Sequence, residues 1–279
     1  MRVETVDKWG TASACEMPLR LLLPSGVDVE RLAKRGIVYC NSAAACTESV
    51  ADAAIYLIIN TFRRFTFSSL AARSCNVERF QEAQHGLADV TTNPRGHILG
   101  IVGLGRIGYR IAQKAHLVFP MKIAYHDIKR QSEATETELE ATFYEHLEDM
   151  LAVADCTVIA TPYGGSKVLD ADKIFKMKKG SRLINIARGK LLDEGALVQA
   201  LEQGHLSAAA LDVHMEEPVV NTALAAMANV ELTSHNAGTS VDSLKGFETI
   251  SMENILAFLE KGEALTPVNL QFFDHKQQQ

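Results

Sequence analysis

The sequence predicts an α/β fold in which helices cover both faces of a doubly wound parallel sheet. Short apolar strand segments alternate with helical segments between residues 98 and 233. A glycine turn, Gly103-Leu-Gly-Arg-Ile-Gly108, directly follows the first of these strands and opens a helical segment. Because parallel strands must be joined by a crossover, usually a helix, this alternation indicates a parallel sheet.

The composition is that of an ordinary globular protein. Of the 279 residues, 47% are hydrophobic and 22% are charged, and the formal net charge is -6. This negative balance argues against a nucleic-acid partner. The longest apolar run, residues 53–59, falls far short of the about 20 residues that cross a bilayer, so no membrane partner is expected. Five cysteines without metal-ligand spacing predict a reducing, cytoplasmic location and no metal site.

The segment before the glycine turn predicts few regular elements. Leu19–Leu23 and Ile37–Cys40 are predicted strands, and Asp28–Arg35 is a predicted short helix. Thr47 is the predicted N-cap of a long helix that reaches about Phe65. The apolar stripe of that helix suits either the core or a second subunit.

The segment after the glycine turn supplies the remaining elements. Lys122–Asp127 is a predicted strand that ends in a carboxylate. The acidic stretch Glu133–Asp149 carries apolar residues at helical spacing and predicts a helix with a solvated acidic face. Further strands are predicted at 156–162, 182–187, 208–213 and 230–233, and further helices at 193–203 and 240–261.

The glycine turn predicts a dinucleotide site of the Rossmann type. Gly103 permits the tight turn, Gly105 lets the backbone approach a pyrophosphate, and Gly108 lets the helix pack closely on its strand. The phosphates are expected at the free N–H groups of the helix.

A carboxylate about 20 residues beyond the glycines is expected to hold the adenosine ribose. Asp127 takes this position. Its negative charge repels a 2′-phosphate and therefore favours NAD over NADP. The nearby Lys129 and Arg130 keep NADP open as an alternative.

Three residues beyond predicted strand ends form a chemical set for hydride transfer between a nicotinamide and a 2-oxo acid. Arg188 is the cation that can hold the substrate carboxylate and polarise the carbonyl. His235 is the group that exchanges a proton with the substrate oxygen. Glu217 is expected to bond to the imidazole and to stabilise its protonated form.

Three motifs resemble the signatures of the NAD-dependent D-isomer-specific 2-hydroxyacid dehydrogenases. They are Asn185-Ile-Ala-Arg-Gly-Lys-Leu-Leu-Asp193, Leu211-Asp-Val-His-Met-Glu-Glu-Pro218 and Thr233-Ser-His-Asn-Ala-Gly-Thr-Ser240. The resemblance implies catalytic roles for Arg188, Glu217 and His235, and a homodimer. It also implies cofactor contacts at Arg106, Ile107, Asp127, Thr161, Ala187 and Asp212.

Within that family, Gly36-Ile-Val-Tyr-Cys-Asn41 and Asn93-Pro-Arg-Gly-His-Ile-Leu-Gly100 are similar to the fungal D-mandelate dehydrogenase branch. This similarity implies bulky or aromatic 2-oxo and 2-hydroxy acids as substrates. The resemblance divides the chain into a remnant of a substrate domain (1–45), an NAD-binding domain (46–245) and a C-terminal helix and tail that return to the substrate domain (246–279).

Most of the family's N-terminal substrate domain is expected to be missing. Ser25-Gly-Val-Asp28 and Tyr163-Gly-Gly-Ser-Lys167 resemble shortened versions of family loops. Because closing a cleft over the coenzyme excludes water, a reduced wall leaves two alternatives to an active dehydrogenase. These are a nucleotide-binding or scaffolding homologue and a chain that represents only part of a longer protein.

Overall fold

The computed structural model describes residues 2–5 and 27–273. The chain divides into two compact units. Unit 1 comprises residues 1–47 and 239–279, and unit 2 comprises residues 48–238. The domain boundaries given above stay predictions, and the predicted strand Leu19–Leu23 lies outside the described residues.

The described residues form nine strands and eleven α-helices. The strands are β1 (Arg2–Thr5), β2 (Ile37–Cys40), β3 (Ile98–Val102), β4 (Lys122–His126), β5 (Thr142–Phe143), β6 (Cys156–Ile159), β7 (Arg182–Asn185), β8 (Ala208–Leu211) and β9 (Val230–Leu232). The helices are α1 (Val29–Lys34), α2 (Thr47–Arg63), α3 (Phe65–Arg73), α4 (Val77–Gly86), α5 (Arg106–Val118), α6 (Glu133–Leu139), α7 (Leu147–Val153), α8 (Ala171–Lys176), α9 (Glu194–Glu202), α10 (Thr222–Ala225) and α11 (Val241–Lys261).

Unit 1 contains a small parallel sheet and the last long helix. Strands β1 and β2 pair in parallel. The carboxylate of Asp28 caps α1 by accepting a hydrogen bond from the N–H of Arg31. A 3₁₀ helix at Ala43–Cys46 packs tightly on α11, because a Cβ added to Gly246 would lie 2.9 Å from the Cβ of Ala45.

Unit 2 is built around one parallel sheet, which confirms the predicted fold class. The seven strands run in the order β5-β4-β3-β6-β7-β8-β9. The chain winds outward from β3 to β5 and then crosses to β6 on the other side of β3, so the switch point of the sheet lies between β3 and β6. In such sheets, ligands bind at the carboxyl ends of the strands near the switch point.

Burial on both faces explains why the central strands are apolar along their whole length. Strands β6, β7 and β8 are buried along their whole length. Helix α2 buries its predicted stripe, including Ala54, Leu57 and Ile58, so this stripe belongs to the core. Helices α5 and α9 bury Ile111 and Leu197 in the same way.

Two sequence-based predictions are wrong, namely a single helix over 133–149 and an N-cap at Thr47. The stretch Glu133–Asp149 is not one helix, because α6 ends at Leu139, Glu140 takes a left-handed conformation (φ 48°), and β5 pairs with β4 before α7 begins. The predicted helix from Thr47 ends at Arg63, since Arg64 is also left-handed (φ 52°). Thr47 is the first helical residue of α2 and not its N-cap.

Candidate active site

The predicted site residues all lie in unit 2, at or just beyond the carboxyl ends of neighbouring strands. Gly103 follows β3, Asp127 follows β4, and Thr161 lies beyond β6. Ala187 and Arg188 follow β7, Asp212 follows β8, and His235 follows β9. Because all these strands are parallel, the residues lie along one edge of the sheet.

The glycine turn has the geometry expected of a phosphate-binding loop. Gly103 is left-handed (φ 93°), and a Cβ there would lie 3.0 Å from the Cβ of Thr161, across the switch point. A Cβ on Gly108 would lie 2.1 Å from the carbonyl oxygen of Gly103, so only glycine lets α5 start this close to β3. At Gly105, by contrast, a Cβ would meet no atom within 4 Å.

Helix α5 begins at Arg106, which Ile107 follows. Its N-cap, Gly105, has no side chain that could bond the first N–H groups. These backbone donors and the positive end of the helix dipole are therefore available to an anion. The open space at Gly105 lies at the same helix end. The residues present thus fit a pyrophosphate.

Asp127 is tied to the glycine turn. Its Oδ2 accepts a hydrogen bond from the N–H of Leu104 at 2.8 Å. Its Oδ1 makes a longer contact, 3.5 Å, with the N–H of Lys129. The neighbouring Arg130 forms a two-pronged pair with Glu136, at 2.9 and 2.7 Å. Hydrogen bonds from Arg130 and Tyr125 lower the pKa of Glu136 to about 2, so this pair persists over the physiological pH range.

The turn that carries Arg188 is held by the buried Asn185. The Asn185 side chain accepts from the N–H of Ala187 at 3.0 Å and donates to the carbonyl oxygen of Arg188 at 2.9 Å. The turn is therefore fixed, while the Arg188 side chain is exposed and bonds the carbonyl oxygen of Ala187. An exposed guanidinium on a fixed turn is suited to binding an acid.

Glu217 and His235 form the pair that the sequence predicts. The Nδ1 of His235 lies 2.7 Å from Oε2 of Glu217. Partial burial opposes the charge of Glu217, but hydrogen bonds from His235 and from the N–H of His214, together with their charges, outweigh it and lower the pKa of Glu217. Glu217 is therefore ionised at neutral pH and can support a protonated imidazole.

Asp212 holds the turn on which His235 lies. Its carboxylate is almost fully buried and accepts hydrogen bonds from the hydroxyl of Thr233 at 2.6 Å and from the N–H groups of Asn236 and Ala237. The N–H of His235 itself donates to the carbonyl oxygen of Asp212 at 2.7 Å. These bonds hold His235 in a left-handed conformation (φ 55°) that is uncommon for histidine.

Sequence reasoning did not anticipate the positioning roles of Asn185, His214 and Thr233. A polar residue ending an otherwise apolar strand, as Asn185 does in β7, is the signal that could have found the first. Two loops resemble shortened family loops. In the first, residues 25–28, Ser25 and Gly26 lie outside the described residues. In the other loop, Lys167 pairs with Asp193 at 2.6 Å.

Comparison with known proteins matches this geometry to a family. Residues 55–237 match the model for the NAD-binding domain of D-isomer specific 2-hydroxyacid dehydrogenases. The chain belongs to this family. A glyoxylate reductase from Pyrococcus horikoshii is 37% identical over 239 residues, which are 85% of this chain and 70% of the relative.

Solved structures of the family have the same fold. The apo D-mandelate dehydrogenase of Rhodotorula graminis superposes with a TM-score of 0.84 at 38% identity, covering 86% of this chain and 71% of that one. An NADPH-dependent glyoxylate/hydroxypyruvate reductase from Sinorhizobium meliloti, solved with NADP and malonate, gives a TM-score of 0.76 at 34% identity. That match covers 90% of this chain and 76% of the other.

The family membership confirms the resemblance drawn from the motifs. Enzymes of the family are oxidoreductases that transfer a hydride. In the part of the chain that the structure describes, no group of three or more His, Cys, Asp or Glu side chains is arranged to hold a metal ion. No helix among the described residues is long and apolar enough to cross a membrane.

Proposed function

We propose that the protein is a dehydrogenase that transfers a hydride between NAD(H) and a 2-hydroxy or 2-oxo acid. The observation that carries this proposal is the Glu217–His235 pair, 2.7 Å apart, on the sheet edge that also carries the glycine turn and Arg188. A bound NADH supplies the hydride for the substrate carbonyl carbon. All other steps belong to this chain's own residues.

In the reducing direction, Arg188 holds the substrate carboxylate through its planar guanidinium, which also polarises the carbonyl. Protonated His235 donates its proton from Nε2 to the carbonyl oxygen, since Nδ1 faces Glu217. Ionised Glu217 stabilises the imidazolium before this transfer. In the oxidising direction, the same Nε2 accepts the hydroxyl proton of the substrate.

NAD is the proposed coenzyme. The carboxylate of Asp127 lies at the end of β4, next to the glycine turn, where it would repel a 2′-phosphate. Arg130 is engaged by Glu136, so its charge is partly neutralised. The NADPH-dependent relative makes direct comparison of NADH with NADPH a necessary part of the test.

The proposed substrates are 2-oxo acids, including bulky or aromatic ones of the D-mandelate type. Similarity to a D-mandelate dehydrogenase supports this range. Similarity to glyoxylate reductases makes glyoxylate the small 2-oxo acid with which the bulky ones are compared. The four described cysteines are all unpaired, which supports function in a reducing compartment such as the cytoplasm.

We also propose a homodimer. Helices α2, α3 and α4 carry large apolar side chains that are exposed in the single chain, namely Tyr56, Phe65, Leu70, Val77 and Phe80. Because the main apolar stripe of α2 is already buried, these exposed residues form the surface proposed to meet a second copy. Analytical ultracentrifugation tests this, and a monomer at high concentration would reject it.

Oxidation of NADH by the purified protein tests the proposed activity. The panel contains phenylglyoxylate, branched 2-oxo acids and glyoxylate, and each is measured with NADH and with NADPH. We expect His235→Ala to lower kcat by about a hundredfold or more, with NADH binding unchanged. The control is His85→Ala, which removes an exposed histidine on α4. Binding of NADH without turnover above His235→Ala on any substrate would reject the enzyme and favour a nucleotide-binding homologue.

A further inference from the structure

The turn that carries Arg188 and the loop that carries Glu217 meet at a single peptide group. A Cβ added to Gly189 would lie 1.9 Å from the carbonyl oxygen of His214 and 2.5 Å from the nitrogen of Met215. Glycine is therefore needed at this position so that the 214–215 peptide can lie against the Arg188 turn. The position of one loop constrains the position of the other.

A buried carboxylate holds the same peptide group from another side. Glu194, the first residue of α9, is 7% exposed, and its Oε1 accepts a hydrogen bond from the N–H of Met215 at 2.7 Å. Helix α9 does not need Glu194 as its cap, because Asp193 already accepts from the N–H of Ala196. The Glu194 side chain instead bonds a loop 21 residues further along the chain.

From Met215, a short series of hydrogen bonds reaches the predicted catalytic pair. The N–H of the preceding residue, His214, donates to Oε1 of Glu217 at 3.0 Å. The other oxygen of Glu217 bonds His235. The ring Nε2 of His214 lies 2.8 Å from the carbonyl oxygen of Thr233, two residues before His235. Displacing the 214–215 peptide would therefore move His214, whose N–H bonds one oxygen of Glu217 and whose ring bonds the turn before His235.

Burial of an ionisable carboxylate is costly unless its hydrogen bonds offset the cost. On the same helix, Glu202 at the other end is exposed to solvent and does not carry this cost. Glu194 is the buried acid of α9, and its contact is directed at the loop that carries Glu217. A role in local helix stability alone would not account for that direction.

We propose that Glu194 is a positioning residue that fixes the 214–217 loop against the Arg188 turn and so sets the alignment of Glu217 and His235. This inference rests on the proposed dehydrogenase function. It adds a residue that does not touch the reacting atoms but acts through Met215 and His214. Loss of the Glu194 contact should therefore change the chemistry at His235 more than the binding of either ligand.

Three substitutions separate this role from general stability. Glu194→Asp keeps a carboxyl group at the start of α9 but withdraws it by one methylene. Glu194→Gln is the conservative variant, because its amide oxygen can accept from the N–H of Met215 at the same distance. Glu202→Ala is the matched control on the same helix. Thermal unfolding identifies any variant that does not fold.

Amide hydrogen exchange and steady-state kinetics provide the readouts. We expect Glu194→Asp to increase exchange at the Met215 and His214 amides by about tenfold and to lower kcat by about tenfold, as for leaving one buried backbone N–H without its acceptor. The KM for NADH should stay the same. The acid limb of the pH profile should move to higher pH, because Glu217 loses the His214 donor that lowers its pKa. Glu194→Gln and Glu202→Ala should resemble the wild type.

The outcomes distinguish this inference from the proposed function. Equal exchange in Glu194→Asp and the wild type would overturn the positioning role even if the enzyme is active. Faster exchange with an unchanged kcat and pH profile would overturn it as well. An inactive wild type would reject the proposed function, and the exchange of the 214–217 amides would still decide whether Glu194 holds this loop.

Discussion

The imidazole of His235 and the carboxylate of Glu217 are joined at 2.7 Å although 18 residues separate them in the chain. The carboxylate also bonds the N–H of His214, and these contacts together lower its pKa despite its partial burial. The stabilisation that a carboxylate with a lowered pKa gives is complete above the ordinary glutamate pKa of about 4.3. It is lost as the pH falls through the pKa of that carboxylate in the folded protein. We therefore expect the proposed hydride-transfer activity to persist down to mildly acidic pH, where Glu217 is still ionised.

Glu217→Gln removes this charge with little change of shape. We expect kcat to fall by about tenfold to a hundredfold, since a hydrogen bond to a charged group contributes about 1.5–3 kcal/mol. The pH profile of kcat/KM should also lose the acid limb that Glu217 sets. The control is Glu216→Gln, at the exposed neighbouring acid. Equal kcat values for the two variants would contradict the role given to Glu217.

Two glycines of the same turn should respond differently to alanine. At Gly108 the added methyl group meets the carbonyl oxygen of Gly103, so Gly108→Ala should destabilise the fold by about 1–3 kcal/mol and lower Tm by several degrees. At Gly105 nothing lies within 4 Å and φ is -76°, so Gly105→Ala should keep its Tm.

The Gly105→Ala methyl group instead occupies the space into which a pyrophosphate would fit. We expect its Kd for NADH to rise by about tenfold or more, which corresponds to about 1.4 kcal/mol. Calorimetric titration of both variants gives the two Kd values, and thermal unfolding gives the two Tm values. An unchanged NADH affinity in Gly105→Ala would show that the coenzyme does not bind at this turn.

Asp127→Asn tests the choice of coenzyme. The variant keeps an oxygen that can accept from the N–H of Leu104 but loses the negative charge. Because a like charge next to a phosphate costs several kcal/mol, the preference for NADH over NADPH should fall by about tenfold or more. The ratio of kcat/KM for the two coenzymes measures this. An unchanged ratio, equal to that of the exposed control Asp149→Asn, would show that Asp127 does not select the coenzyme.

The cysteines should differ sharply in reactivity. Cys156 in β6 is fully buried, and burial raises its pKa to about 12, whereas Cys75 is exposed. Because the thiolate is the reactive form, iodoacetamide at neutral pH should label Cys75 and leave Cys156 unmodified in the folded protein. Mass spectrometry of peptides gives both rates, and denatured protein is the control in which both react. Rapid labelling of native Cys156 would contradict the buried position of β6.

The sequence was sufficient to predict the elements whose signals are local. The glycine turn and the apolar strands β6 to β8 follow from short-range chemistry. The prediction of a single helix over 133–149 was wrong because Leu139, Phe143 and Leu147 keep a helical spacing although they lie in α6, β5 and α7. Only pairing with β4 defines the two-residue strand β5, and that contact is not local.

The candidate site shows the same division. The residue types at Arg188, Glu217 and His235 suggested their chemistry, and the pairing of Glu217 with His235 occurs as predicted. The sequence did not reveal that buried Asp212 and Asn185 hold the turns that carry His235 and Arg188. These contacts depend on which loops the sheet order brings together, and residue spacing does not contain that information.

The division of the chain has a consequence for its synthesis. Unit 2 is one uninterrupted stretch, whereas unit 1 includes the later segment that forms α11. A ribosome therefore synthesises every strand of the seven-stranded sheet before it begins that helix. All residues of unit 2 are thus joined before unit 1 is complete, and we expect unit 2 to fold first.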